Sequence, residues 1–77
     1  MNLNYNLHLK KKKQRKYHCY DHLTIEQLPH IGEHIIVEDI KYRIVDVEHH
    51  FSNTIIHGAT TLMKSEQLGN IYADEVA

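Results

Sequence analysis

Seventy-seven residues make room for one small domain, and a domain of that size buries only about 60% of the surface its unfolded chain exposes. That excludes a multi-domain enzyme, a repeat array and a large cofactor pocket. The composition, 42% hydrophobic and 25% charged, is that of a globular chain rather than a disordered one. The net charge of −1 averages two unlike parts. Residues 1–20 carry six cations and no acid, while 21–77 set Lys41, Arg43 and Lys64 against all ten acids, a formal −7.

In chain order, Leu3, Tyr5, Leu7 and Leu9 alternate with Asn2, Asn4, Asn6, His8 and Lys10. Period-2 alternation of this kind predicts a half-buried β-strand. Lys10 to Lys16 holds no apolar residue and reads as a solvated hairpin loop. Tyr17 to Ile25 is the second expected strand. Tyr17, Cys19, Leu23 and Ile25 share one parity and Asp21 breaks it, which predicts a bulge near Asp21. Leu28-Pro29-His30-Ile31-Gly32-Glu33 reads as a turn, because proline fixes φ and glycine permits a positive one. His34 to Glu38 is a short third strand, with Asp39 and Ile40 as a tight connection.

In Tyr42 to Phe51 the apolar parity changes midway, from Tyr42 and Ile44 to Val45, Val47 and Phe51. A long strand that bends at a bulge has this pattern. Ser52-Asn53 is the expected next turn, and Thr54 to Lys64 a fifth strand with Gly58 at a bulge or barrel corner. Residues 65–77 are expected to extend beyond a 1–64 domain, opening on a helical turn capped by Ser65, with Ile71 and Tyr72 docked on the body. Five short strands and no long helix predict a small, partly open antiparallel barrel. The competing architecture is a two-layer sheet completed by dimerisation.

The run Leu28-Pro29-x-x-Gly32-Glu33, a short Ile/Val strand, then Tyr42-x-Ile44-Val45-x-Val47-x-His49 resembles small β-barrel proteins encoded by phages and by bacterial mobile (integron-type) gene cassettes. The resemblance covers 28–51, about a third of the chain, and its marks are structural. It implies a strand, a variable hairpin loop and a second strand before the Pro-Gly-Glu turn. It also implies function by binding, as inhibitor, adaptor or nucleic-acid contact, and no catalytic residue. The basic loop and the eight histidines lie outside the pattern.

Lys10, Lys11, Lys12, Lys13, Arg15 and Lys16, flanked by Tyr17 and Tyr20, suit phosphate contact with base stacking. The acidic remainder opposes a dedicated nucleic-acid binder, and a solvated charged tip would look the same in sequence. His18 and His22, or His30 and His34, have a spacing that chelates zinc on a helix. On a strand, four residues span about 13 Å, too far for one ion. His49 and His50 are expected on opposite strand faces. Cross-strand clusters of His50, His57 or Cys19 cannot be argued from spacing, and no metal or cofactor is expected. Cys19 with a neighbouring histidine, or Ser52 or Ser65 with His49 or His50, would be nucleophile pairs, but none sits in a local signature.

A single cysteine fits a reducing compartment. No secretory signal and no apolar run of about 20 residues stands in the sequence, so a cytoplasmic protein is expected. The expected function is non-enzymatic binding to a protein partner or to a second copy as a homodimer, with nucleic-acid binding through 10–16 as the alternative.

Overall fold

The computed structural model describes residues 3–56 and 58–76. Its elements are β1 (Leu3–Lys10), β2 (His18–Ile25), β3 (His34–Val37), β4 (Ile40–Ile56) and β5 (Ala59–Glu75). They form one curled open sheet in the order β2-β1-β5-β4-β3, a half-barrel. Among the described residues there is no helix, and so none long and apolar enough to cross a membrane.

The alternation in β1 sets the two faces. Tyr5, Leu7 and Leu9 point inward and are buried, joined by Tyr42 and Ile44 of β4 and Ile71 and Ala73 of β5. Ile25, Leu28, Ile35, Val37, Ile40 and Val47 pack around this small core. Burying each large aliphatic side chain contributes about 1.5–3 kcal/mol.

Both parity breaks are bulges. Leu7 pairs with Tyr20 but Tyr5 pairs with Leu23, so two residues of β2, Asp21 and His22, oppose Asn6 alone. Likewise Ile44 pairs with Ala73 and Asp46 with Tyr72, which leaves Val45 as the extra residue. The inward set therefore changes from Tyr42 and Ile44 to Val47, as the sequence pattern requires. The expected turn before β3 is present: Gly32, at φ +93°, donates its N–H to the Ile44 carbonyl at 2.8 Å, and Ile44 donates back to Glu33 at 2.8 Å. The β3–β4 connection lies one residue earlier than expected. Glu38 and Asp39 both have positive φ, 50° and 67°, the geometry of a two-residue type I′ hairpin.

The second half of the chain departs from the sequence reading. Ser52-Asn53 does not turn, because β4 runs through it to Ile56. Gly58, expected inside a strand, lies between β4 and β5 at φ +79°, where a left-handed residue reverses the chain. Ser65 caps no helical turn, since β5 continues through it, and the expected 1–64 boundary falls inside this strand. Residues 69–74 of β5 insert between β1 and β4, running parallel to β1 from Tyr5↔Gly69 to Lys10↔Asp74. The other three pairings are antiparallel, as expected.

Candidate binding surfaces

The basic loop is tied to the acidic end of β5. Lys10 Nζ lies 3.9 Å from Asp74 Oδ2 and 5.4 Å from the centre of the Tyr17 ring. Tyr17 Oη donates to Asp74 Oδ1 at 2.6 Å, and the Lys12 backbone N–H donates to Glu75 Oε1 at 3.0 Å. A Gln14 N–H bond to the Lys11 carbonyl, 3.0 Å, closes the turn at the tip. Exposed pairs such as Lys10–Asp74 contribute about 0–1 kcal/mol, so they orient the loop more than they stabilise the fold. The Tyr17 phenol is pushed up to about 12, first by its hydrogen bond to Asp74, then by burial and by the Asp74 charge. Lys11, Lys13, Arg15 and Lys16 are exposed, and no ion pair is found for them among the described residues. The two flanking tyrosines do not come together. Tyr17 meets the Tyr72 ring edge-on at 5.4 Å on the outer face, whereas Tyr20 pairs with inward-facing Leu7 and meets the His18 ring at 4.7 Å.

The outer face of β1, β5 and β4 carries a connected polar ladder. His8 stacks on Tyr72, with centroids 4.5 Å apart and planes 14° from parallel, and its Nε2 lies 2.9 Å from Asn70 Oδ1. Asn70 Nδ2 lies 3.2 Å from His50 Nε2 and 3.5 Å from Glu48 Oε1. Cys19 Sγ donates to Asp21 Oδ1 at 3.1 Å and lies 4.0 Å from His8 Nε2. Local desolvation, followed by the Asp21 bond and charge, pushes the Cys19 thiol above its usual value, which opposes nucleophilic activation. His49 and His50 do face opposite ways: His49 Nδ1 meets Tyr5 Oη at 2.8 Å, while His50 joins the ladder.

His30 contacts Glu33, with Nδ1 3.4 Å from Oε1 and its backbone N–H donating to the same carboxylate. Among the described residues, no group of three His, Cys, Asp or Glu side chains could hold a metal ion. His57 lies outside the described residues, as do the side chains of His22, Ser52 and Ser65.

Two kinds of open sheet edge remain. β2 and β3 are the outer strands, and Tyr20, Leu23 and Ile36 on them are exposed, Ile36 by 68%. Beyond His49↔Gly69, Ser65 to Leu68 fall between paired positions, and the chain then resumes pairing at Phe51↔Lys64. From there to Ile56↔Ala59, β4 and β5 pair only with each other among the described residues. This two-stranded ribbon carries no Asp, Glu, Lys or Arg from Phe51 to Met63, and Phe51 at its root is 56% exposed. Sequence reasoning missed the ribbon because it placed a turn at Ser52-Asn53. Comparison with known proteins finds no matching family model, no matching curated protein and no matching solved structure.

Proposed function

We propose that this chain is a non-catalytic binding protein of the phage or mobile-cassette type, acting in the cytoplasm through a protein partner, and in the first place through a second copy of itself. The observation that carries the reading is the ribbon 51–56/59–64, free of Asp, Glu, Lys and Arg from Phe51 to Met63, whose two outer edges meet no other strand among the described residues. An isolated two-stranded hairpin is marginal in water at best. Six paired positions per strand extend about 20 Å, enough to pair along a like ribbon or an outer strand of a second molecule. The exposed β2 edge adds a second place for strand addition. The Pro-Gly-Glu resemblance and the lone Cys19 support the phage-type and cytoplasmic parts of the reading. Sedimentation equilibrium over a wide concentration range tests it: the mass rises above that of the monomer, and Ile55→Lys returns it to the monomer. A monomer at every concentration overturns self-association.

A second reading is favoured by the unpaired cations of the loop tip. Lys11, Lys13, Arg15 and Lys16 stand clear of Asp74 and Glu75, and Tyr20 stays open for stacking, so the loop suits phosphate backbones. Fluorescence anisotropy of labelled oligonucleotides across a salt series tests this reading. Salt-independent or absent binding overturns it.

A further inference from the structure

A cavity of about 190 Å³ opens beneath the basic loop, lined by Leu9, Lys11, Gln14, His18, Tyr20 and Tyr42. The fold builds it from distant parts of the chain. The turn at the loop tip brings Lys11 and Gln14 together, and the bond from the Lys12 N–H to Glu75 ties that turn to the end of β5. His18 and Tyr20 project from alternate positions of β2 with rings at 70° to each other. Tyr42, from the far side of β5, closes the floor.

Tyr42 is the telling residue. It is only 2% exposed, yet no hydrogen-bond partner for its hydroxyl is found among the described residues. Its oxygen is not among the enclosed unsatisfied atoms, so it reaches the cavity rather than the core. Burial, followed by the nearby Glu75 charge, pushes its phenol above the usual value, so it stays a proton donor at neutral pH. Open to the cavity it lines, this hydroxyl is free to donate its hydrogen to a ligand bound there. Lys11 and Gln14 line the same cavity, and a second cavity of about 380 Å³, lined by Gln14, Arg15, Lys16, Tyr17 and His18, adjoins it through Gln14 and His18.

The cleft so formed joins phosphate-binding cations to an aromatic wall. We infer that it binds a nucleoside 5′-phosphate, with the base against the His18–Tyr20 rings and the phosphate met by Lys11 and the Tyr42 hydroxyl, Arg15 and Lys16 adding positive charge from the adjoining cavity. Arginine grips phosphate in a bidentate fork, and stacking a base on an aromatic ring is sequence-tolerant. A free mononucleotide and the 5′ end of a single strand present the same chemistry. The inference rests on the second reading above and narrows it from a polyanion along the loop to one phosphorylated nucleotide in the cleft.

The test titrates the full-length protein with AMP, adenosine, and one single-stranded oligonucleotide bearing either a 5′-phosphate or a 5′-hydroxyl. AMP is expected to bind about tenfold tighter than adenosine, or the phosphorylated strand about tenfold tighter than its hydroxyl twin, as a charge-assisted bond warrants; which pair responds identifies the source. Tyr42→Phe loses most of that difference. As a check independent of Tyr42 folding, Lys11→Glu weakens binding far more than Lys13→Glu, although both change the net charge equally. Equal binding of the two strands and equal weakening by the two lysine variants would overturn the cleft while leaving loop-mediated nucleic-acid binding intact. No binding of any probe would overturn both.

Discussion

The Tyr5 ring closes directly over Gly69 across the parallel β1–β5 pairing: a Cβ placed on Gly69 would lie 2.9 Å from Tyr5 Cε2 and 1.8 Å from the Glu48 carbonyl oxygen. An aromatic ring covering a strand glycine is a known device for fixing register, and here it fixes the strand that joins the two halves of the sheet. Gly69→Ala forces the backbones of β4 and β5 apart. The expected cost is about 3–4 kcal/mol, read as a large fall in the chemical denaturation midpoint. Gly32→Ala is the control. Nothing lies within 4 Å of its added Cβ, so only the positive φ of 93° is penalised, by about 1–2 kcal/mol.

Tyr5 also reaches His49 through its hydroxyl, at 2.8 Å across 44 positions of sequence. Tyr5→Phe keeps the ring over Gly69 and removes this bond. It should destabilise by about 1 kcal/mol, well short of the Gly69→Ala effect in the same denaturation experiment. A loss as large as that of Gly69→Ala would show that the bond, not the ring, fixes the strand.

The pH dependence at the alkaline end follows from the tyrosines. Tyr17 holds its proton to about pH 12 because its hydroxyl bonds to Asp74, whereas an unfolded tyrosine ionises near pH 10. Between those values the folded chain binds more protons than the unfolded one, so stability falls as pH rises. Tyr5, Tyr42 and Tyr72, all raised by burial first, act in the same direction. Ultraviolet titration of the phenolates should show one tyrosine ionising near pH 12, and Asp74→Asn should move it down. An unmoved curve would mean that the bond to Asp74 does not hold the Tyr17 proton.

Much of this architecture is legible in the sequence. β1 announces itself by strict alternation, and the two parity breaks, at Asp21 and at Val45, mark the bulges that bend the sheet. β5 is much fainter. Its inward positions Gly69 and Ala73 are small, so the period-2 signal that identified β1 is weak, and Ser52-Asn53 carries turn chemistry that an extended strand also tolerates. The basic loop is plain from composition. Its anchors Asp74 and Glu75 lie about sixty residues away and leave no local mark, as is usual for long-range pairing. The opposite placement of Tyr17 and Tyr20 did have a signal in their odd separation, which puts strand residues on opposite faces. Tyr42 gave none, since a tyrosine among inward aliphatic residues reads as core.

Loop-mediated polyanion binding makes a quantitative prediction. Each duplex phosphate neutralised contributes about −0.9 to the slope of log affinity against log salt. The double variant Lys13→Glu, Arg15→Glu should therefore flatten the slope by about 1.8 without altering the denaturation midpoint, because neither side chain makes an ion pair among the described residues. An unchanged slope would place the contacts elsewhere on the chain.

The claim that the ribbon meets a second copy is tested most directly by amide hydrogen exchange measured at low and high protein concentration. Strand addition satisfies the outward N–H groups of 51–56 and 59–64, so their exchange should slow as concentration rises, while the loop amides of Lys13, Arg15 and Lys16 stay fast at both. Ile55→Lys should abolish the concentration dependence in the ribbon and leave the protection of β1 and of 69–74 intact. Exchange in the ribbon that is equally fast at every concentration, alongside a protected core, would contradict the account.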